Sequence, residues 1–451
     1  MTSDEYLYIL SFYNLNKGEY MAFITPFQGW YFDPKKVNLE DIIVPPYDVI
    51  SAEEKEEFKS RSPWNMVYAT LSEGNKKEKY LNAKLYLERA ISEKILIQDD
   101  KESFYIVEQL DAKNEKRRIF FIANVDLRLY KKKILPHEKT FEEPKIDRKI
   151  LLKTIKANIE IPFALYSDLH RVIVGTFESI MKGQPLFRFI DVNDIDYTVW
   201  RLSDKNLIQK IQDFMETRTI TIADGHHRIE SGYDVWKETG QPWASKMMIA
   251  LANYNDEEKY VLPTHRLVYG IPELDIHKFE KQLTGSYFDI YIFEYDSADE
   301  EIQLEKMKYF IKNTPNAIGM YVPSFKRYYV ITLKDARKVS RWVESNSREL
   351  KHSSSIKKQL DVTWLHHLIL EPLLGIDTSK RKQTNLDFVK GSYEDAIKAM
   401  SRDKKYQLIF FLNPTNISDI IAISQEHDTV PQKTTYFTPK VDSGIIIQKL
   451  V

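Results

Sequence analysis

The sequence predicts an α+β (mixed α/β) protein in which buried strands and amphipathic helices follow one another along the chain. The apolar run TITIA at 219–223 has the length of one buried strand and stops at an Asp-Gly pair. A stretch with helical spacing follows at once, with Ile229, Tyr233 and Trp236 on one face. The length of 451 residues exceeds one typical domain and suggests two or three.

The N-terminal part shows a mixed order of helices and strands. Ser51 and Glu54 form a capping box, so a helix should begin near residue 52. Helical spacing over 80–91 predicts a second helix. The further elements expected from the pattern are strands at 104–107 and 119–125, helices at 147–158 and 204–215, and strands at 219–223 and 246–252.

The pattern changes between residues 272 and 348, which we predict to be a compact accessory α+β module. A helical piece around Phe279 leads there to an aromatic strand at 287–293, a helix at 299–312 and strands at 317–322 and 327–333. Residues 1–271 are the predicted core. Residues 349–451, with a helix at 364–374 and a strand at 408–412, form a C-terminal segment expected to pack back on that core.

Composition excludes several classes of protein. The chain has 65 basic and 66 acidic residues, so no basic excess indicates a nucleic-acid partner. It has no cysteine, which excludes disulfides, cysteine-zinc sites and thiol catalysis. The N-terminus lacks the pattern of a signal peptide, and no apolar run is long enough to span a membrane. A soluble cytoplasmic protein is expected.

The stretch Asp224-Gly225-His226-His227-Arg228 is the most informative motif, because it lies between the predicted strand and helix. Asp224 can cap the helix, and Gly225 permits a tight turn or a close approach to a ligand. Free N–H groups at the helix start, together with the Arg228 guanidinium, favour a bound anion such as phosphate. The alternative is a solvated loop before an ordinary helix.

A second polar stretch contains Pro136-His137-Glu138-Lys139-Thr140 and continues through Pro144 to Arg148. Two prolines and several charged side chains predict a loop, where functional residues concentrate. Glu138 is a candidate general base, and Lys139, Lys145 or Arg148 could neutralise phosphate charge. A charged surface turn is the alternative.

A third candidate is the stretch VPPYDVI at 44–50. Its Pro-Pro pair imposes an extended backbone that would hold Tyr47 and Asp48 at a fixed angle. A structural turn before the capped helix explains the same residues. The Walker A and G-x-G-x-x-G signatures do not occur, so nucleotide chemistry would need an unconventional phosphate site.

These motifs together resemble a widespread family of long DGHHR-motif proteins catalogued as a domain of unknown function. The resemblance covers nearly the whole chain in order, and the accessory stretch 272–348 carries few of the signatures. The stretches that carry it are VPPYDVIS (44–51), PHEKT (136–140), PKIDR (144–148), ADGHHR (223–228), LPTHRLV (262–268), LEPLLGI (370–376) and PQKTTYFTPK (431–440).

Shorter stretches resemble the free L-serine kinases of the ParB/sulfiredoxin-like superfamily, which share a Pro-His-Glu segment, Asp-Gly-His-His-Arg and a C-terminal Pro-Lys-Thr-Thr element. The counterparts here are His137-Glu138, the 224–228 turn and Lys433-Thr434-Thr435, with Gln432 in place of the proline. This chain is also longer, and its two main motifs are farther apart.

The resemblance implies a ParB/sulfiredoxin-like nucleotide-binding core and a kinase that phosphorylates free L-serine with ATP or ADP and Mg²⁺. It implies Glu138 as base, with His137 beside it, and phosphate contacts from the DGHHR turn, Lys139 and residues 433–435. Asp48 and Arg266 are candidates for the substrate's ammonium and carboxylate groups, and Asp224 or Glu138 for one Mg²⁺ ligand. The alternatives are a phosphoserine phosphatase or reverse kinase at the same site, or a ParB-like nucleotide-binding switch without kinase activity.

Overall fold

The computed structural model of the chain describes residues 22–256, 261–285, 287–293, 299–347, 350–378, 385–431 and 433–450. The N-terminus on which the expectation of no signal peptide rests, and Gln432, lie outside the described residues. Within the ranges given, no helix has the length and apolar character needed to cross a membrane.

Strands and helices both run through the whole described chain, which confirms the mixed α/β class. The strands are β1 (Ile24–Thr25), β2 (Trp30–Phe32), β3 (Leu96–Gln98), β4 (Phe104–Asp111), β5 (Lys116–Asp126), β6 (Ile134–Leu135), β7 (Ala157–Asn158), β8 (Phe163–Tyr166), β9 (Phe187–Ile190), β10 (Asp196–Leu202), β11 (Ile220–Asp224), β12 (Lys246–Asn253), β13 (Val261–Leu262), β14 (Thr264–Tyr269), β15 (Phe288–Ile292), β16 (Ala317–Val322), β17 (Arg327–Leu333), β18 (Leu386–Lys390), β19 (Tyr406–Phe411), β20 (Tyr436–Phe437) and β21 (Gln448–Lys449).

The helices connect and cover these strands. They are α1 (Ala52–Arg61), α2 (Val67–Thr70), α3 (Glu78–Ser92), α4 (Glu142–Ile155), α5 (Val172–Met181), α6 (Lys205–Glu216), α7 (His226–Thr239), α8 (Ile276–Thr284), α9 (Glu300–Asn313), α10 (Ala336–Asn346), α11 (Ser355–Gln359), α12 (Asp361–Trp364), a π-helical stretch (Leu365–Leu370), α13 (Glu371–Leu374), α14 (Tyr393–Arg402) and α15 (Ile417–Gln425).

The first sheet is buried on both faces. Eight of its nine strands lie in the order β6-β11-β8-β12-β5-β4-β10-β9, and β1 pairs with β5. Along β4, Tyr105 and Val107 belong to one apolar core, while Phe104 and Ile106 belong to the other. Because successive side chains of a strand point to opposite faces, the sheet lies between two layers of helices. Helices α1 to α3 contribute to the first core, and α5 to α7 to the second.

The second sheet has six strands in the order β15-β17-β16-β19-β14-β18. These strands come from all three of the predicted segments, since β14 precedes residue 271 and both β18 and β19 follow residue 348. The accessory stretch therefore shares one sheet with the segments on either side of it in the chain, since β16 pairs with β19. The division at 271 and 348 stays a prediction about folding units.

The last residues of the chain return to the first sheet. Strand β20 pairs with β13, and β21 pairs with β7. Ile445, Ile446 and Ile447 are buried in the first core. The C-terminal segment thus contributes both to the second sheet and to the layer that covers the first.

Most predicted elements agree with the structure. The Ser51 hydroxyl accepts the Glu54 N–H, and the Glu54 carboxylate accepts the Ser51 N–H, so the capping box is confirmed. The loop predicted to run to Arg148 is wrong beyond Phe141, because α4 begins at Glu142. Pro144 is tolerated there, since the first N–H groups of a helix have no partner within it. The assignment of the first sheet to the ParB/sulfiredoxin-like fold stays a prediction.

Candidate functional site

The DGHHR motif forms the predicted strand–turn–helix unit. Strand β11 ends at Asp224, Gly225 has φ +83°, and α7 begins at His226. A Cβ atom at Gly225 would lie 2.8 Å from the Arg228 guanidinium, so both its backbone angle and its surroundings require glycine. Gly225 itself is the N-cap and no side chain caps α7, which makes the prediction of Asp224 as the cap wrong.

Asp224 forms ion pairs with two cations instead of capping the helix. Its Oδ2 accepts a hydrogen bond from Arg228 Nη2 at 2.7 Å, and its Oδ1 accepts one from Lys440 Nζ. Burial alone would raise the pKa of Asp224, but Lys440 and Arg228 lower it below the ordinary value. Arg228 is only 5% exposed and also faces the Ile161 carbonyl. The prediction that its guanidinium is free to hold phosphate is therefore wrong, because that group already binds the protein.

His137 is fully buried and joins three parts of the site. Its Nδ1 lies 2.5 Å from the Ile222 carbonyl, which can only accept, so Nδ1 carries the proton. Its Nε2 therefore accepts a hydrogen bond from the Thr435 hydroxyl at 3.0 Å. Burial lowers its pKa to about 4, which keeps the ring neutral. With both nitrogens bound to the protein, His137 holds the turn and the C-terminal segment in place, and the prediction of a catalytic His137 is not supported by its geometry.

Glu138 lies beside the DGHHR turn, as predicted, although 85 residues separate the two motifs. The His137 and His226 ring centroids are 4.6 Å apart, which brings the two segments together. Glu138 is half-buried, and its Oε1 accepts the Lys433 N–H at 2.6 Å. Burial raises the pKa of Glu138 against the opposing effect of Lys433 and Lys440, and the nearby Asp224 charge raises it further.

The two histidines of the motif are held as neutral rings. His226 is buried, and its Nε2 faces the His137 N–H at 3.4 Å. His227 Nε2 accepts the Phe141 N–H at 2.9 Å. Burial lowers the pKa of both rings. They align the loop before α4 with the start of α7.

Three lysines form a positive cluster that we call the lysine cluster, consisting of Lys390, Lys433 and Lys440. The Nζ atoms of Lys390 and Lys440 lie 4.2 Å and 4.6 Å from the centroid of the Tyr436 ring. Burial, together with the neighbouring Lys433 and Lys440 charges, lowers the pKa of Lys390 to about 8. Neither Lys390 nor Lys433 forms an ion pair among the described residues, and two such positive charges held close together favour an anion between them.

Sequence reasoning missed Lys390, Tyr436 and Lys440 as site residues. Tyr436 and Lys440 occur in the quoted stretch 431–440, so that stretch contained a signal for them. Lys390 ends strand β18 of the second sheet, and no motif marks it. Its place in the site follows only from the packing of the second sheet beside the first.

The threonines and the lysine that were predicted to contact phosphate differ in whether their side chains are already bound to the protein. Thr434 is buried, and its hydroxyl donates a hydrogen bond to the Pro431 carbonyl at 2.5 Å. The Thr435 hydroxyl donates a hydrogen bond to His137. Lys139 lines a pocket of about 440 Å³ together with Glu138 and Lys145. The two threonines therefore position the segment, and Lys139 borders the space next to Glu138.

Arg148 has a structural role, which corrects the prediction that it neutralises phosphate. It is 8% exposed, and its Nη1 and Nη2 donate to Glu160 at 3.0 Å and to Asp147 at 2.5 Å. Its guanidinium also lies 4.0 Å from the Tyr47 ring centroid. Because its hydrogen bonds go to the protein, Arg148 fixes the VPPYD stretch to α4.

Asp48 follows Tyr47 on that stretch and is exposed. Its negative charge raises the pKa of both Lys390 and His227 against burial, so it lies near the lysine cluster and the start of α7. In the ranges that the structure describes, Asp48 forms no ion pair. Asp48 is thus an exposed carboxylate of the site that can take a ligand.

Arg266 is fully buried, so the prediction that it binds substrate carboxylate is wrong. Its Nη1 donates to the Thr264 carbonyl at 2.5 Å, its Nη2 to the Lys433 carbonyl at 3.4 Å and its Nε to His366 Nε2 at 3.3 Å. Burial lowers its pKa to about 9. Arg266 supports the backbone of Lys433 from the second sheet and does not reach solvent.

The carboxylates of the site offer few ligands to a magnesium ion. Among the described residues there is no group of three or more His, Cys, Asp or Glu side chains placed to hold a metal. Both Asp224 oxygens already bind cations, which disagrees with the prediction of Asp224 as a metal ligand. Asp48 and Glu138 form no ion pair in the described part. Mg²⁺ needs only one or two carboxylates when phosphates and waters complete its shell, so these two residues fit it.

Comparisons with known proteins give one family and several distant structures. A family model described as "Protein of unknown function (DUF1015)" matches residues 24–363. A search of curated proteins finds no match. A conserved hypothetical protein from Pyrococcus furiosus is 12% identical with a TM-score of 0.32, over 72% of this chain and 95% of that one. A free serine kinase in complex with AMP is 12% identical with a TM-score of 0.32, over 72% and 92%. SbnI from Staphylococcus aureus is 8% identical with a TM-score of 0.31, over 73% and 87%.

Proposed function

The chain belongs to the DUF1015 family, and we propose that it is a nucleotide-dependent kinase that phosphorylates the hydroxyl group of free L-serine. One observation supports this proposal above the others. The half-buried Glu138 carboxylate lies between the DGHHR turn and the lysine cluster, and burial raises its pKa. A proton acceptor next to a positive anion site is what transfer of a phosphoryl group to an alcohol requires.

Glu138 is proposed to accept the proton of the serine hydroxyl. A raised pKa brings its proton affinity closer to neutrality, where a general base is most effective. The Lys433 N–H fixes Oε1 at 2.6 Å, so the carboxylate is held before substrate arrives. His137 supports this arrangement by binding Thr435, two residues after Lys433.

The nucleotide phosphates are proposed to lie between the start of α7 and the lysine cluster. The first N–H groups of a helix have no partner within it, and no side chain caps α7. Lys390 and Lys433 would neutralise charge on the phosphoryl oxygens, while Lys440 is held beside them by its ion pair with Asp224. Arg228 acts through Asp224, since this pair fixes Asp224 and Asp224 in turn binds Lys440.

Asp48 is proposed to accept the ammonium group of serine, because it is an exposed carboxylate that lies near the cluster. Magnesium would neutralise further phosphate charge when bound with the nucleotide. Asp48, with two carboxylate oxygens, would supply the protein ligand to this ion, because Glu138 has to remain free to take the proton. The resemblance of the motifs to those of free L-serine kinases supports serine as acceptor.

The proposal is tested by incubating the purified full chain with L-serine, Mg²⁺ and either ATP or ADP. Formation of O-phosphoserine with one of the nucleotides is the expected result. Absence of O-phosphoserine with both would contradict the proposal. A parallel incubation with O-phosphoserine alone tests the phosphatase alternative, because release of inorganic phosphate without nucleotide would indicate a phosphatase.

A further inference from the structure

A second pocket, of about 220 Å³, lies between the second sheet and helices α12 and α15. It is lined in part by Asp361 of α12, Asp419 of α15, Thr264 of β14 and Thr434. None of its lining residues comes from the DGHHR turn, from the loop 136–141 or from the lysine cluster. It is therefore a separate site, on which the proposed kinase function does not depend.

The charge of this pocket is negative. Asp361 and Asp419 line it, and no Lys, Arg or His does. Burial raises the pKa of Asp361 to about 6 and raises that of Asp419 as well. Neither carboxylate forms an ion pair within the chain as described. Two carboxylates partly removed from water without a counter-charge are costly, and a bound cation would offset this cost.

One further polar group on the wall of this pocket lacks a hydrogen-bond partner among the described residues. Thr264 is 3% exposed, and its Oγ1 forms no hydrogen bond. A buried hydroxyl usually has a hydrogen-bond partner, so one left without a partner on the wall of a pocket indicates a polar ligand. This observation is independent of the two carboxylates and concerns the wall of the same pocket.

The walls also contain apolar side chains, among them Leu360, Val362 and Leu412. Such walls suit methylene groups. A bare metal ion would make poor use of them, and among the described residues no group of three or more acidic or histidine side chains could hold one. An amino acid would bring a carboxylate into a pocket that offers it no basic side chain. These features together select an organic cation without an acid group.

We propose that this pocket binds a small aliphatic amine in its protonated form. Its ammonium group donates hydrogen bonds to the carboxylates of Asp361 and Asp419 and to the Thr264 hydroxyl oxygen. Its methylene groups pack against Leu360 and Leu412.

The pocket is connected to the candidate active site through one short segment. The Thr434 carbonyl accepts the Thr415 hydroxyl at 3.3 Å, and both threonines line the pocket. The neighbours of Thr434 are Lys433, whose N–H binds Glu138, and Thr435, which binds His137. An amine bound here would contact the segment that positions the proposed base, but it would lie apart from the proposed phosphate site.

The test is isothermal titration calorimetry of the full chain with 1,4-diaminobutane, with MgCl2 and KCl titrated separately. We expect binding of the amine, weakened at least tenfold in Asp361→Asn and in Asp419→Asn because each loses a charge-assisted hydrogen bond. Asp213→Asn, on the exposed face of α6, is the matched control and should bind as the wild type does. Thr264→Val keeps the shape of the side chain and should weaken binding by at least threefold.

Three results would overturn the proposal. The first is that 1,4-diaminobutane gives no heat of binding. The second is that both Asn variants bind the amine as well as the wild type does. The third is that Mg²⁺ or K⁺ binds in a way that requires Asp361 and Asp419, while the amine does not bind. If an Asn variant fails to fold, the wild type and Thr264→Val decide the matter on the same criteria. A folded Asp361→Asn variant should also melt at a higher temperature than the wild type without amine, because an uncompensated buried charge is removed.

Discussion

The Lys433 N–H donates a hydrogen bond to Glu138 Oε1 at 2.6 Å, joining two residues 295 positions apart in the chain. Lys433 lies beyond residues 24–363, which the family model matches. The Lys433 carbonyl in turn accepts from the buried Arg266 of the second sheet. The position of the proposed base therefore depends on the first sheet, the second sheet and the C-terminal segment at once.

Arg228→Ala should destabilise the protein strongly. The change removes the partner of Asp224 at 2.7 Å and leaves this half-buried carboxylate paired with Lys440, and loss of a hydrogen bond between charged groups costs about 1.5–3 kcal/mol. Urea unfolding would measure this loss in the free energy of unfolding. Arg188→Ala is the control, because its ion pair with Asp196 is exposed and should contribute less than about 1 kcal/mol. Equal effects of the two changes would show that the Asp224 pair is not structural.

Lys390→Gln should weaken nucleotide binding with little loss of stability. Lys390 forms no ion pair among the described residues, so its removal leaves no carboxylate unpaired. Loss of one charged contact to phosphate corresponds to about 1.5–3 kcal/mol, or roughly ten- to a hundredfold in the dissociation constant. Fluorescence titration with ATP and ADP would measure it, and Lys398→Gln, exposed on α14, is the matched control.

The same lysine predicts how nucleotide affinity changes with pH. The pKa of Lys390 is lowered to about 8, so it loses its charge as the pH rises through that value. We expect the wild-type affinity to fall between about pH 7 and pH 9, and this fall to be much smaller in Lys390→Gln. An identical pH profile in both proteins would remove Lys390 from the phosphate site.

His137 predicts a pH dependence of stability. Its folded pKa of about 4 lies below the ordinary value of 6.5, so between these values the unfolded chain binds more protons than the folded chain. Its stabilising contribution is complete above about pH 6.5 and is lost as the pH falls to about 4, by at most about 3 kcal/mol. His137→Gln should therefore show a smaller fall in the free energy of unfolding over this range. His352→Gln, at an exposed position, should keep the wild-type profile.

Local patterns predicted the strand–turn–helix unit at Gly225 and the capped helix after Ser51, because a turn or a cap is decided by residues next to each other. Partners across the chain could not be predicted in this way. Arg228 was expected to hold phosphate, but it binds Asp224, and Arg266 was expected to face substrate, but it is buried under Lys433. Whether a charged side chain binds the protein or remains free depends on which strands pack beside it, and the sequence motifs contain no information on that packing.

Lys390 shows that the packing of strands also decides which unmarked residues reach the site. It enters the site from β18, which pairs with β14, and β14 begins just after the short strand that pairs with β20. The second sheet therefore brings Lys390 close to Tyr436. Only the pairing of strands far apart in sequence makes this lysine part of the cluster.

The most direct test of the account compares Glu138→Gln with the wild type in two measurements, serine-dependent turnover and nucleotide affinity. The substitution keeps the shape of the side chain but removes its capacity to take a proton. We expect turnover to fall by about 10²–10⁴ while nucleotide affinity stays within about twofold. Glu88→Gln, exposed on α3, should change neither. Normal turnover in Glu138→Gln would contradict the assignment of Glu138 as the base and with it the proposed mechanism.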